Sequence, residues 1–258
     1  MHLFDHKLSY FPVPKCGSTS VIAFLFEVQN GFAFRPYVVD GRKIGLHEVV
    51  KMRAFEKHPL DKVANFRKIA VVRDPAERMV SFFYDKFIPK KAGRKSEIEA
   101  RGVSDALMRA GLNPQPEVEE FVEKVEAYRD AHPFMKLHLL PLTHFLGEDA
   151  DYYDRIFDIR ELDELEDYVV ELTGTSARMG HIRKTPRADK ADTVAHDAAR
   201  KARKVFAEEY DIFGDCFTTH RSLPPSRMED ARKGKARHGK GKVRPFETAR
   251  EHRHDWSR

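Results

Sequence analysis

The stretch that most constrains this chain is 11–20 (FPVPKCGSTS), followed at once by the apolar run 21–28 (VIAFLFEV). A short apolar strand over 8–13 that runs through small residues into a buried helix must turn tightly, and Gly17 lets it do so without a Cβ penalty. The first N–H groups of that helix have no intrahelical acceptor, and the helix dipole adds partial positive charge there. With the ammonium of Lys15 and the hydroxyls of Ser18, Thr19 and Ser20, the loop reads as an anion cradle. On these residues alone, an ordinary strand–turn–helix with Ser and Thr as N-caps remains open. The nucleotide-triphosphate loop, Gly-x4-Gly-Lys-Ser/Thr, fits poorly, because Lys15 precedes the loop's glycine.

A second stretch, 68–87 (KIAVVRDPAERMVSFFYDKF), repeats the arrangement. The apolar run 69–72 predicts a buried parallel strand. Pro75 suits the first turn of a helix that Asp74 would cap. Arg73 then stands at the carboxyl end of its strand, where open α/β sheets bind ligands. Arg73 and Ser81, two helical turns on, could hold a second phosphate through a guanidinium fork and a hydroxyl. A structural ion pair of Arg73 with Asp74 or Glu77 is the competing reading.

Taken together, PKCGSTS and VVRDPAERMVSFFYDKF resemble the sulfotransferases that use 3′-phosphoadenosine-5′-phosphosulfate (PAPS). The resemblance is to the carbohydrate branch, with the heparan/uronyl 2-O-sulfotransferases and the chondroitin and HNK-1 enzymes, and it spans about residues 8–217. It implies a three-layer α/β sandwich with a mainly parallel central sheet, the P-loop-nucleotide-hydrolase-like fold of sulfotransferases. It also implies transfer of the sulfuryl group of PAPS to a hydroxyl, on a carbohydrate or glycan precursor, with no metal required. Lys15, Cys16, Gly17, Ser18, Thr19 and Ser20 would form the 5′-phosphosulfate loop, and Arg73 and Ser81 the 3′-phosphate grip. The run 180–187 (GHIRKTPR) is similar to an HLRKT segment of the 2-O-sulfotransferases, which assigns Arg183, Lys184 and Thr185 to the cofactor. His47 is the expected base, with Glu48 as rival because other sulfotransferase branches use a glutamate. His132 is a weaker candidate for the acceptor cleft, while His138 and His144 read as packing or surface residues.

Between these motifs, 89–116 is polar and proline-flanked and reads as an excursion or lid. The periodicity then predicts helices over 117–129, 161–172 and 189–210. The net charge of +5 divides unevenly: 221–258 carries +7 and the rest −2. The expected organisation is thus a sulfotransferase domain over 1–220 and a disordered basic tail over 221–258, able to touch an anionic polymer or membrane surface. Two cysteines and the absence of a signal-like start predict a reducing, cytoplasmic setting. Cys16 reads as a small filler rather than an activated thiol. Two further function classes stay open at this level: a nucleotide kinase-like transferase, and a non-catalytic glycan- or nucleic-acid-binding protein on the same fold.

Overall fold

The computed structural model describes residues 1–89, 91, 93–180 and 200–217. Its sheet contains β1 (His2–Leu3), β2 (Leu8–Phe11), β5 (Arg67–Val72) and β6 (Arg155–Asp158), in the order β1-β2-β5-β6. β3 (Tyr37–Val39) and β4 (Arg42–Ile44) form a separate antiparallel hairpin. β1 pairs antiparallel with β2, whereas β2, β5 and β6 are parallel. Every residue of β2 is buried, as are Ile69, Ala70, Val71 and Val72. That unbroken apolar run is what a strand covered on both faces requires. Phe11 pairs with Ala70 across the β2–β5 register. The two loops that follow these strands therefore leave the sheet from the same end and at the same level.

Each of those loops opens a helix. α1 (Ser18–Asn30) begins at Ser18, so the three hydroxyl residues form its first turn rather than the loop before it. The cause is Gly17, which at φ 70° turns the chain directly into the helix; Gly31, at φ 74°, ends it. After β4, the short α2 (Leu46–Val49) carries His47 and Glu48. α3 (Pro75–Lys86) starts as the sequence suggests, with Pro75 in its first turn. The Asp74 carboxylate accepts from Ala76 N–H at 2.8 Å and Glu77 N–H at 3.3 Å.

Two apolar cores hold these elements. One joins the sheet to α1, to α9 (Leu142–Leu146) and to α10 (Leu162–Thr173). At its centre the Phe11 ring meets the rings of His58, Phe55, Tyr152 and Tyr153 with centroids 4.7–5.9 Å apart. Such pairs contribute roughly 0.5–1.5 kcal/mol each beyond area burial. The second core is helical and is built on α3. The stretch expected as an excursion or lid folds there into α4 (Glu97–Ala100) and α5 (Val103–Arg109), which bury Ile98, Val103 and Leu107 against it. The helix expected over 117–129 is bent into α6 (Val118–Glu123) and α7 (Val125–Ala131) at Lys124. Hydrogen bonds from Lys124 N to Glu120 O and from Tyr128 N to Lys124 O run through the bend, so Phe121, Val122, Val125 and Tyr128 keep one buried face. α8 (Pro133–Leu139) completes this layer.

The expected last helix is helical over 200–205 and continues, after a break at Phe206, as α11 (Ala207–Phe213). Its first part lies outside the described residues, as does the stretch 221–258. No helix among the described residues is long and apolar enough to cross a membrane.

Candidate active site

Lys15 sits at φ 68°, a left-handed conformation that costs a non-glycine residue roughly 1–2 kcal/mol. Its side chain is 12% exposed, and Nζ donates to Asp85 Oδ2 at 2.9 Å. Burial draws the Lys15 pKa down to about 8, with Asp85 working against that shift and Lys86 and Arg73 adding to it. Burial also acts on Asp85, in the opposite sense, but Lys15 and Lys86 outweigh it and hold the carboxylate well below its usual range.

The start of α1 has no side-chain cap. Ser20 N and Val21 N both turn back to Gly17 O, so the Ser18 and Thr19 N–H groups are the ones presented beyond the helix end. Ser18 is buried; Thr19 and Ser20 are half-buried. Thr19 Oγ1 lies 3.0 Å from His47 Nε2, which brings the expected base onto the loop. Glu48 is exposed and already engaged: its Oε2 accepts from Gly45 N–H at 2.9 Å, closing the first turn of α2. Of the two rivals, only His47 has a side-chain bond to the loop among those the structure describes.

Arg73 and Ser81 mark the second motif. Arg73 lies just past the end of β5, 21% exposed, with Nε 3.4 Å from Glu77 Oε2. The structural ion pair weighed from the sequence is therefore present, though long, and the Arg73 side chain is partly exposed. Glu77 is shared with Arg160, which also reaches Asp158 Oδ1 at 3.4 Å. Ser81 is buried in α3, two turns beyond Arg73.

Cys16 is the small filler that its setting in the sequence suggests: its thiol is fully buried in the sheet core, and burial pushes its pKa up to about 12. Its N–H bonds to Val13 O. The residue is a core filler and offers a ligand no side chain. Gly17 serves through its backbone; a Cβ there would stand 3.4 Å from the Leu162 side chain and close to Ile159. His132 caps α8, its Nδ1 accepting from Phe134 N–H at 3.1 Å, so its observed role is local. His138 packs against Phe82 and Phe134 as expected, and burial lowers its pKa to about 4, with Lys86 and Lys15 adding to the effect. Arg183, Lys184 and Thr185 lie outside the described residues.

Two features escaped the sequence reading. One is Asp85, which follows Ser81 by four residues and so lies on the same helical face. The other is the buried pair of Arg78 and Glu209, with Arg78 Nη2 3.2 Å from Glu209 Oε1 and Nη1 2.8 Å from Leu140 O. Helical periodicity marks Arg78 as inward-facing, but nothing in the sequence couples it to a residue on α11.

A mainly parallel sheet, an uncapped helix N-terminus beside a buried lysine, and an arginine at the end of the adjacent strand define an α/β transferase of anion-activated groups. The residues suit a donor with two anionic ends, because two separate cationic positions follow neighbouring parallel strands. A model of the sulfotransferase family matches residues 4–213, and the chain belongs to that family, in its carbohydrate branch. No curated protein and no solved structure gives a significant match. The α/β architecture is consistent with the P-loop-like sulfotransferase fold. The chain is thus an enzyme, a PAPS-dependent sulfotransferase for carbohydrate acceptors. That sets aside both the kinase-like and the non-catalytic alternatives.

Proposed function

We propose that Lys15, the N-terminal turn of α1 and His47 form the transfer centre, and that Arg73 and Ser81 hold the donor's 3′-phosphate. The observation that carries this reading is the 3.0 Å contact between Thr19 Oγ1 and His47 Nε2, which joins base and loop. PAPS, when bound, supplies a sulfuryl group already activated by a phosphate leaving group.

The protein's part is positioning and charge stabilisation, as in phosphoryl transfer. The Ser18 and Thr19 N–H groups and the hydroxyls of Ser18, Thr19 and Ser20 would hold the phosphosulfate. Lys15 would offset the negative charge that grows on the leaving oxygen, where one preorganised donor is typically worth about 3 kcal/mol. His47 Nε2 would take the proton of the acceptor hydroxyl as its oxygen bonds to sulfur, a role suited to imidazole near neutrality.

The acceptor side is read from charge. Residues 35–57, which flank His47, hold six Lys/Arg against three Asp/Glu, which favours an anionic saccharide. The +7 stretch 221–258 would add sequence-independent attraction to an anionic polymer, weakened by salt and lost when 221–258 is removed.

Calorimetric titration with 3′-phosphoadenosine-5′-phosphate tests the donor assignment, with ATP as control and Arg73→Ala beside the unaltered chain. Micromolar binding that exceeds ATP binding and collapses in Arg73→Ala is the expected result. Equal affinity for ATP, or binding indifferent to Arg73→Ala, would remove the assignment of the second phosphate site.

A further inference from the structure

The charged side chains behind the loop form an alternating line. Lys15 Nζ meets Asp85 Oδ2 at 2.9 Å, and the same oxygen meets Lys86 Nζ at 3.0 Å. Lys86 Nζ then meets Glu97 Oε2 at 2.6 Å, and Arg101 Nη2 meets Glu97 Oε1 at 3.0 Å. The line begins almost out of solvent, with Lys15, Asp85 and Lys86 at 12, 14 and 6% exposure, and surfaces at Arg101, 54% exposed. It connects the loop after β2 to α4 by way of the last turn of α3.

The groups that bear on Lys15 are Asp85 and Lys86 of α3 and Arg73 at the end of β5, with His138 of α8 close enough to feel the Lys15 charge. Among the described residues, Asp85 is the one carboxylate that bears on Lys15. A buried ammonium surrounded by cations sheds its proton unless an anion faces it. A neutral amine could not offset charge on a leaving phosphate. The 2.9 Å contact also fixes the far end of a side chain whose backbone is already set by an uncommon φ.

We propose that Asp85 is a positioning residue for the transfer, holding the Lys15 side chain in the loop and keeping it an ammonium within an otherwise cationic setting. This rests on the assignment of Lys15 to the reaction. Asp85 acts through Lys15 and needs no contact with donor or acceptor. Because it is shared with Lys86, the two neighbours act in opposite directions. Losing Asp85 makes Lys15 more acidic; losing Lys86 removes a competing cation and makes Lys15 more basic.

The test is competitive labelling of lysines with acetic anhydride from pH 6 to 11, read residue by residue by mass spectrometry on the full chain without donor. The Lys15 midpoint is expected near 8 in the unaltered protein. It should fall by about one pH unit or more in Asp85→Asn, stay in place in Asp85→Glu, and rise in Lys86→Met. The alkaline limb of the transfer rate should move to lower pH in Asp85→Asn, and this displacement should vanish when Lys15→Arg is added, since a guanidinium does not titrate in that range. Midpoints unchanged in both Asp85→Asn and Lys86→Met would overturn the proposal while leaving the functional assignment intact. If circular dichroism shows Asp85→Asn unfolded, Lys86→Met alone decides, and an unchanged or lowered midpoint overturns it. Failure of the unaltered chain to bind 3′-phosphoadenosine-5′-phosphate would count against the functional assignment instead, before any variant is made.

Discussion

His47 Nε2 and Thr19 Oγ1 lie 3.0 Å apart, so a two-residue hairpin turn and a four-residue helix deliver an imidazole onto the first turn of α1. β3 is wholly exposed, and α2 has no fully buried residue, though Leu46 packs against the sheet core. The contact links a lightly packed segment to the most constrained loop of the molecule.

Replacing His47 by Ala should lower kcat by about 10²–10⁴-fold, the usual worth of a positioned general base, with donor-product affinity unchanged. Glu48→Ala should cost only the cap of α2, about 1 kcal/mol of local stability, and leave kcat close to that of the unaltered enzyme. Steady-state kinetics with labelled PAPS separates the two. A larger loss in Glu48→Ala would hand the role of base to the glutamate.

Lys15 should write itself into the pH profile. In the proposed role its ammonium is the active form; burial brings its pKa to about 8, so the transfer rate should fall as pH rises through that value. Lys15→Arg should flatten this limb, and Lys15→Ala should lower the rate by about 10²–10³-fold below pH 8, with the gap to the unaltered enzyme narrowing as its lysine loses the proton. Initial rates across pH 6–10 check both.

Arg73→Ala removes a charge-assisted contact of roughly 1.5–3 kcal/mol, a tenfold to hundredfold loss in affinity for 3′-phosphoadenosine-5′-phosphate. Adenosine 5′-phosphosulfate lacks the 3′-phosphate, so its affinity should not respond. Parallel titrations of both ligands provide the readout.

Glu209 gives a stability signature. Burial raises its pKa to about 7, and the Arg78 charge only partly opposes this. A carboxyl with a raised native pKa is most stabilising while protonated in both states, below the unfolded value of 4.5. That contribution is lost as pH rises toward 7. Relative to Glu209→Gln, the unaltered protein should therefore lose stability as pH rises from 4.5 to 7.5. Urea denaturation of both chains across that range measures it, and parallel curves would contradict it.

Much of this fold is local in origin and so was open to sequence reading. The run 69–72 and the Asp74 cap with Pro75 behind it each follow from a few neighbouring residues. Lys15, His47 and Arg73 stand out as candidates for the same reason, because loop chemistry and strand ends are sequence properties. The pairing of Lys15 with Asp85, and of Arg78 with Glu209, does not. Those partners stand 70 and 131 residues apart, and only the packed structure selects them from many carboxylates. Cys16 was placed in the loop correctly, but which way its thiol turns is decided by the core beneath. The bend at Lys124 had no glycine or proline to announce it.

The parallel pairing of β2 with β5, and of β5 with β6, matches Leu8 with Arg67 and Ile69 with Arg155. Such distant partners make chain closure slow and entropically costly compared with hairpins or helices. On the ribosome, Lys15 and Arg73 emerge long before Asp158, so a nascent chain carries β2 and β5 before their third parallel partner exists. The apolar edge of Ile69–Val72 stays uncovered through that interval, a setting in which aggregation competes with folding. Truncated or prematurely released chains should therefore be inactive and sticky together, and catalytic competence should switch on abruptly once the strand ending at Asp158 docks.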